Sequence, residues 1–277
     1  MMLARLRPTR WLPPRWSSAQ WSSALRALEY WMVSYKRTWR GTIISSFLVP
    51  SLFLAAMGLG LGAYVDAGGG RSALGGQTYL QFIAPGLLAA TAMQTASFES
   101  SYPVMGGWKW FKTYFAMLAT PLGVGDVLAG HLLFVAFRVF ATSVVYLAVI
   151  TAFGAVASPW GILAAVAGLL TGLAIAAPTF AMAVTTDRDT IFSMYFRFAI
   201  LPMFLFSGAF FPVGQLPAAV QPIAYATPLW HGVNLARMFT QGELDYAWIG
   251  GNVGYLCLWI GAGAWWAARA FRRRLAT

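Results

Sequence analysis

Runs of twenty or more mostly apolar residues recur along this chain, and they leave it few ways to fold. A helix needs about 20 such residues to cross the hydrocarbon of a bilayer. Six segments meet that standard: 42–65, 80–104, 127–152, 160–185, 191–211 and 247–268. Of the 277 residues, 59% are hydrophobic and 10% are charged. A water-soluble domain carries roughly 25% charged residues, and so few charges cannot cover the surface of a soluble chain of this length. Lipid must be the solvent for much of it. The expected fold is therefore an all-α polytopic membrane protein with six transmembrane helices.

The net charge of +11 raises nucleic-acid binding, and its distribution argues against that. Basic residues gather at the two ends and in one internal loop, not along a face interleaved with aromatics. With the N-terminus inside, the inner segments hold eight basic residues up to Arg40, then Lys109 and Lys112, then Arg188, then Arg269, Arg272, Arg273 and Arg274. The outer segments hold Arg71 and Arg237. Positive charge inside is the rule for cell membranes, so both termini are expected in the cytoplasm of a bacterial cell. No signal-peptide pattern precedes the first span. The single cysteine, Cys257, allows no disulfide within the chain, and His131 and His231 lie too far apart to suggest a metal site.

Four parts follow: a cytoplasmic tail (1–19), an interfacial helix (20–41), the six-helix domain (42–268) and a basic tail (269–277). In the second, Trp21, Leu25, Leu28, Trp31, Tyr35 and Trp39 recur at three- and four-residue steps, with Arg26, Lys36 and Arg37 between them. That pattern suits a helix lying along the inner membrane surface, or one packed on protein. The outer region 211–246 is largely apolar yet cut by Pro212, Pro217, Pro222 and Pro228. Broken helices at membrane depth need protein or a water cavity to satisfy their backbone. Two short helices, about 215–224 and 228–240, are expected to dip back from outside, with His231 on the second. Charges within spans need partners; Glu99 is expected to pair with Arg138 or Arg197, as a structural ion pair or as part of an inner gate.

The chain has three lysines, Lys36, Lys109 and Lys112, and none sits in a GxxxxGK[ST] loop. It cannot hydrolyse ATP by that route, and no catalytic residues or cofactors are assigned to it. Asp187-Arg188-Asp189 reads as a solvated loop rather than an acid–base pair. An ion-coupled secondary transporter is the alternative, but such proteins usually carry internal repeats and mid-membrane acids, whereas here Glu99 is the one acid inside a span.

Particular stretches resemble a known family. Ser207-Gly208-Ala209-Phe210-Phe211-Pro212, then Leu216-Pro217, then Thr227-Pro228-Leu229-Trp230-His231 and Arg237, are similar to the C-terminal signature of ABC-2 type permeases. Tyr79-Leu80, Ala84-Pro85-Gly86, Phe98-Glu99 and Ala119-Thr120-Pro121-Leu122 resemble the branch of nodulation-factor and antibiotic exporters. The likeness starts near Gln20; residues 1–19 have no counterpart in it. The resemblance implies a type V ABC exporter fold, with an N-terminal connector helix, a cytoplasmic coupling helix and outer re-entrant helices. It also implies a second permease, identical or related, and two separate ATPase subunits that hold ATP and Mg²⁺. The 16% aromatic content and eleven methionines fit a hydrophobic or amphipathic cargo such as a drug, glycolipid or lipid-linked molecule, as they also fit lipid-facing surface. On the resemblance, the 106–121 loop would be the coupling element. A short helix from Trp108 to Leu118 would offer Trp108, Lys109, Trp110, Lys112, Tyr114 and Phe115 to the ATPase, the other reading being interfacial anchoring by Trp and Lys.

Overall fold

A computed structural model describes residues 18–275; most of the expected N-terminal tail lies outside them. Helix α1 (Ser18–Leu54) continues through a π-helical stretch, Ala55–Leu61, into α2 (Gly62–Ala67). A glycine turn with α3 (Gly70–Ala73) leads to α4 (Tyr79–Ser100). The next connection holds α5 (Tyr102–Met105) and α6 (Thr113–Leu118), and α7 (Val124–Ala152) follows. A 3-10 turn, Pro159–Leu163, opens α8 (Ala164–Thr185). Helices α9 (Thr190–Tyr195) and α10 (Leu201–Phe206) are joined by a π-helical turn. The chain ends with α11 (Gln221–Tyr225), α12 (Pro228–Gln241) and α13 (Tyr246–Leu275). Among the described residues there is no strand.

Two of these helices, Val124–Ala152 and Pro159–Thr185, are long and apolar enough to cross a membrane by length and composition; Ser51–Ala67 and Thr190–Phe206 are apolar but shorter. The remaining expected spans are helical near the expected places.

Helix α8 is the centre of the bundle, packed by α4, α7, α12 and α13. Its small residues let backbones approach, the main device for joining helices where lipid removes the hydrophobic drive. A Cβ on Gly172 would lie 2.5 Å from Val139 of α7, and one on Gly263 of α13 would lie 2.6 Å from Pro178 of α8. The start of α4 is fixed by reciprocal capping between Thr78 and Gln81, and Asp66 Oδ1 accepts the amide of Tyr79 at 3.0 Å. The glycine turn before α4 is thus tied at both ends.

Four expectations are revised. No break separates the interfacial segment from the first span, because Gly41 alone costs a helix only about 1 kcal/mol and α1 runs through it. Its Ala24 and Ala27 are buried against α7, where a Cβ on Gly130 would lie 2.5 Å from Ala27, so this part of α1 is packed on protein. The 108–118 segment is not one helix: it is π-helical to Trp110, turns at Lys112 and restarts at Thr113. The 215–224 helix shrinks to Gln221–Tyr225, preceded by a single 3-10 turn at Val213–Gln215, since Pro222 is tolerated in the first turn of a helix and not in the middle of one. Finally, Arg269 to Arg274 are the last turns of α13, not a separate tail.

Candidate functional site

At one end of the bundle three connections meet: the 106–121 segment, the turn at Asp187 and the last turns of α13. The Lys109 ammonium donates to the Asp187 carbonyl, and Arg274 pairs with the Asp187 carboxylate. The Arg274 guanidinium also sits 4.0 Å over the Trp108 ring, whose Nε1 donates to the Ala183 carbonyl at 3.0 Å. Trp108 therefore faces inward. Lys112 has φ +53°, a left-handed conformation that side chains other than glycine adopt at a cost. That turn projects Trp110, Phe111 and Phe115 outward, with Phe111 81% exposed. Lys112 is exposed beside them.

Tyr114 points the other way and is fully buried. Its hydroxyl and His131 Nδ1 share a hydrogen bond of 2.6 Å, and burial holds the phenol well above its ordinary pKa, so it stays neutral. His131 stacks on Trp31 of α1 at 3.9 Å and meets Phe180 of α8 edge-on at 5.0 Å. Tyr114 in turn touches Phe271 of α13 at 5.4 Å. One aromatic cluster thus joins the 106–121 segment to α1, α7, α8 and α13. His131 Nε2 and Trp31 Nε1 are buried there without hydrogen-bond partners.

Further along, Arg138 Nε and Nη2 both donate to Glu99 Oε1, at 2.9 and 2.8 Å. The guanidinium lies 4.7 Å from the Tyr35 ring centroid, so the pair ties α4, α7 and α1 together. Arg197 is exposed on the π-helical turn and makes no ion pair among the described residues.

The opposite end is built around α12. Pro228 occupies its first turn, behind Thr227, whose Oγ1 accepts from the Trp230 amide at 3.3 Å. Pro228 is buried, Pro212 half-buried and Pro217 exposed. His231 Nδ1 lies 2.6 Å from Asn252 Oδ1, and the ring stacks on Tyr255 at 3.9 Å, which fastens α12 to α13. Arg237 donates to the carbonyls of Phe82 at 3.2 Å and Gly208 at 3.0 Å. Its guanidinium also lies 3.9 Å over the Phe82 ring. Gly208 has φ +84°, and the loop it shapes rests on α4 so closely that a Cβ on Gly86 would lie 2.8 Å from the Ala209 backbone. Ala84-Pro85-Gly86, Ser207–Pro212 and Arg237, far apart in sequence, form one contact.

Sequence reasoning missed three of these residues, and two left a signal. His131 shares an i, i+4, i+11 face with Val127 and Arg138, and Arg237 extends the Leu229–Val233 stripe of α12; Val127, His131, Arg138, Leu229 and Val233 are buried and Arg237 is half-buried. Nothing in the sequence marks Phe111, because its exposure depends on the unusual turn at Lys112.

A bundle of helices with one largely buried ion pair, two apolar helices of membrane length and a short proline-led helix packed among them defines a polytopic membrane protein. Its kinship is specific: the ABC-2 type transporter family matches residues 26–239, and the chain belongs to that family. It is 32% identical over 261 residues to Nodulation protein J of Rhizobium leguminosarum bv. viciae, covering 91% of this chain and 95% of that protein. The Nodulation protein J of Bradyrhizobium diazoefficiens is 31% identical over 261 residues, covering 88% and 94%.

Proposed function

We propose that this chain is the permease subunit of an ABC exporter, crossing the cell membrane six times with both termini inside. It moves a hydrophobic or amphipathic cargo with energy from ATP hydrolysed on a separate subunit. Membership of the ABC-2 transporter family implies the partner ATPase. The observation that carries the reading is the two-sided 106–121 segment. Trp110, Phe111, Lys112 and Phe115 stand free at its tip, while Trp108 and Tyr114 are locked into the bundle. An ATPase that grips the tip pulls directly on the Tyr114–His131–Trp31 cluster, and so on α1, α7, α8 and α13. The Glu99–Arg138 pair, held against Tyr35, is the inner gate on this reading. The proline-led outer helices seal the far side.

The test is co-purification and coupling. The wild-type chain is expected to purify with stoichiometric ATPase and to show cargo-stimulated hydrolysis in vesicles. Phe111→Asp with Lys112→Glu should leave membrane insertion intact and reduce stimulation at least about tenfold, as expected for losing an exposed aromatic anchor of an interface. Transport by the chain alone, without any ATPase, would favour the ion-coupled alternative and overturn the proposal.

A further inference from the structure

A groove of about 450 Å³ runs between the first turns of α7 and the last turns of α13. Its walls are Leu128, Ala129 and Leu132 on one side and Ala264, Ala268 and Arg272 on the other. Ala264, Ala268 and Arg272 follow at four-residue steps, so they form one stripe along α13 with the charge at its end. The groove exists because α13 is drawn onto α8 at Gly263 and Pro178, while the α13 wall beyond that contact carries only the small Ala264 and Ala268 before Arg272. Arg272 is exposed at the mouth, flanked by exposed Arg269 and Arg273. None of these three is in an ion pair among the described residues; Arg274 alone is paired. Asp126 also borders the groove, but its Oδ2 accepts from the Gly123 amide at 2.9 Å as part of the start of α7.

An apolar slot that ends in a free guanidinium, at the depth where the basic ends of the helices lie, matches one kind of occupant. Acyl chain fits the slot, and phosphate fits the guanidinium. Basic pockets between membrane helices on the cytoplasmic side characteristically hold anionic lipid headgroups, and the charge that meets one here is Arg272, since the N-terminus of α7 already has the Asp126 carboxylate. We propose that this groove binds one anionic phospholipid of the cytoplasmic leaflet, with its phosphate at Arg272 and a chain along Leu128, Leu132 and Ala264. The site rests on the inside-outside orientation given above. It is distinct from the Trp110–Phe115 tip, so the lipid would brace α7 against α13 behind the coupling segment and not take part in ATPase docking.

The experiment uses the permease–ATPase complex reconstituted in mixed phosphatidylethanolamine and phosphatidylglycerol, then re-extracted and washed in mild detergent. Lipid retained per complex is quantified by mass spectrometry. Phosphatidylglycerol should be retained about fivefold above its share of the mixture, the effect of about one interfacial arginine. Arg272→Gln and, separately, the groove-filling Ala264→Leu should return retention to that share. Arg272→Lys should keep most of it, and Arg273→Gln, outside the groove, should leave it unchanged. Size-exclusion profiles show which variants fold; if Ala264→Leu does not, Arg272→Gln against Arg273→Gln still decides. No enrichment in wild type, or equal loss in Arg273→Gln, overturns the site. So does a retained molecule that proves to be cargo. Transport measured in the vesicles before extraction tests the exporter reading separately: lipid retained without transport sinks that reading and leaves the site, and transport without retention does the reverse.

Discussion

Arg138, on the 29-residue α7, and Arg237, on the 14-residue α12, are both carried into the bundle, and they are stabilised there by opposite means. Arg138 has a carboxylate: two of its nitrogens bind one oxygen of Glu99, and their side chains are 11% and 22% exposed. Among the described residues Arg237 has no carboxylate, only two main-chain carbonyls and the face of Phe82, and its Nε is buried unpaired. Burial lowers its pKa to about 10, which still leaves it charged at neutral pH. The difference is one of permanence. A side-chain pair spanning α4, α7 and α1 can be opened and closed by moving helices. Carbonyls belong to the backbone and stay in place whatever the sequence around them, so Arg237 pins the Ser207–Pro212 loop to α4 as a fixture.

The comparison breaks most sharply at Glu99. Glu99→Gln leaves Arg138 as a buried charge without its counter-ion, which costs about 3 kcal/mol. Combining it with Arg138→Met should recover most of that loss, because exchanging a whole buried pair for apolar groups is close to neutral. Thermal unfolding in detergent reads both. A single variant as stable as wild type would show that the pair is open to water and that its apparent burial carries no energy.

Gly86→Ala probes the fixture from the other side. The added Cβ would lie 2.8 Å from both Cα and O of Ala209, and backbone cannot rotate away as a side chain can. A loss of about 2 kcal/mol is expected from overpacking of this kind. Pro85, one residue earlier, has already removed a helical hydrogen bond from α4, so the helix has little left to give. Wild-type stability in Gly86→Ala would mean that the loop moves freely, and Arg237 would then not be a fixture.

Arg237→Met should cost less, about 1 kcal/mol. It releases two carbonyls from their donors but strands no opposite charge. If instead the loss equals that of Glu99→Gln, an acidic partner must stand near Arg237 in the working protein, and the contrast between the two arginines disappears.

How legible was this in the sequence? The helices were, because long apolar runs fold as helices, and most of their boundaries fall within a few residues of the element ends; two of them, Val124–Ala152 and Pro159–Thr185, are long and apolar enough to cross a membrane. The choice between Arg138 and Arg197 as the partner of Glu99 was not. It depends on the rotation of three helices about their axes, and the apolar residues around Arg197 are too uniform to fix a face. Arg237 reads in the charge pattern only as an outer basic residue, yet its four-residue step from Val233 places it on the stripe of α12 that Leu229 and Val233 bury. The unbroken α1 escaped for a different reason: a change of surroundings along a helix, from protein-packed to apolar span, leaves no mark in the backbone. The separation of Trp108 and Tyr114 from Trp110 and Phe115 was hidden as well, since a regular helix over 108–118 would have mixed them.

That separation depends on Lys112, and Lys112 gives the smallest and most telling prediction. At φ +53° a lysine is strained where a glycine is not, so Lys112→Gly should stabilise the protein by about 0.5–1 kcal/mol. The turn would survive, Phe111 would stay outside and Tyr114 inside, and only a charge and a flexible side chain would be gone. If the lysine is there to meet a partner, its variant should be more stable in detergent and yet show weaker cargo-stimulated hydrolysis with the ATPase. Lys112→Glu would keep the strain and reverse the charge, and should couple worse than Lys112→Gly. Equal coupling in all three proteins would place the work of the tip on Trp110, Phe111 and Phe115 alone, and reduce Lys112 to a turn residue that glycine performs better.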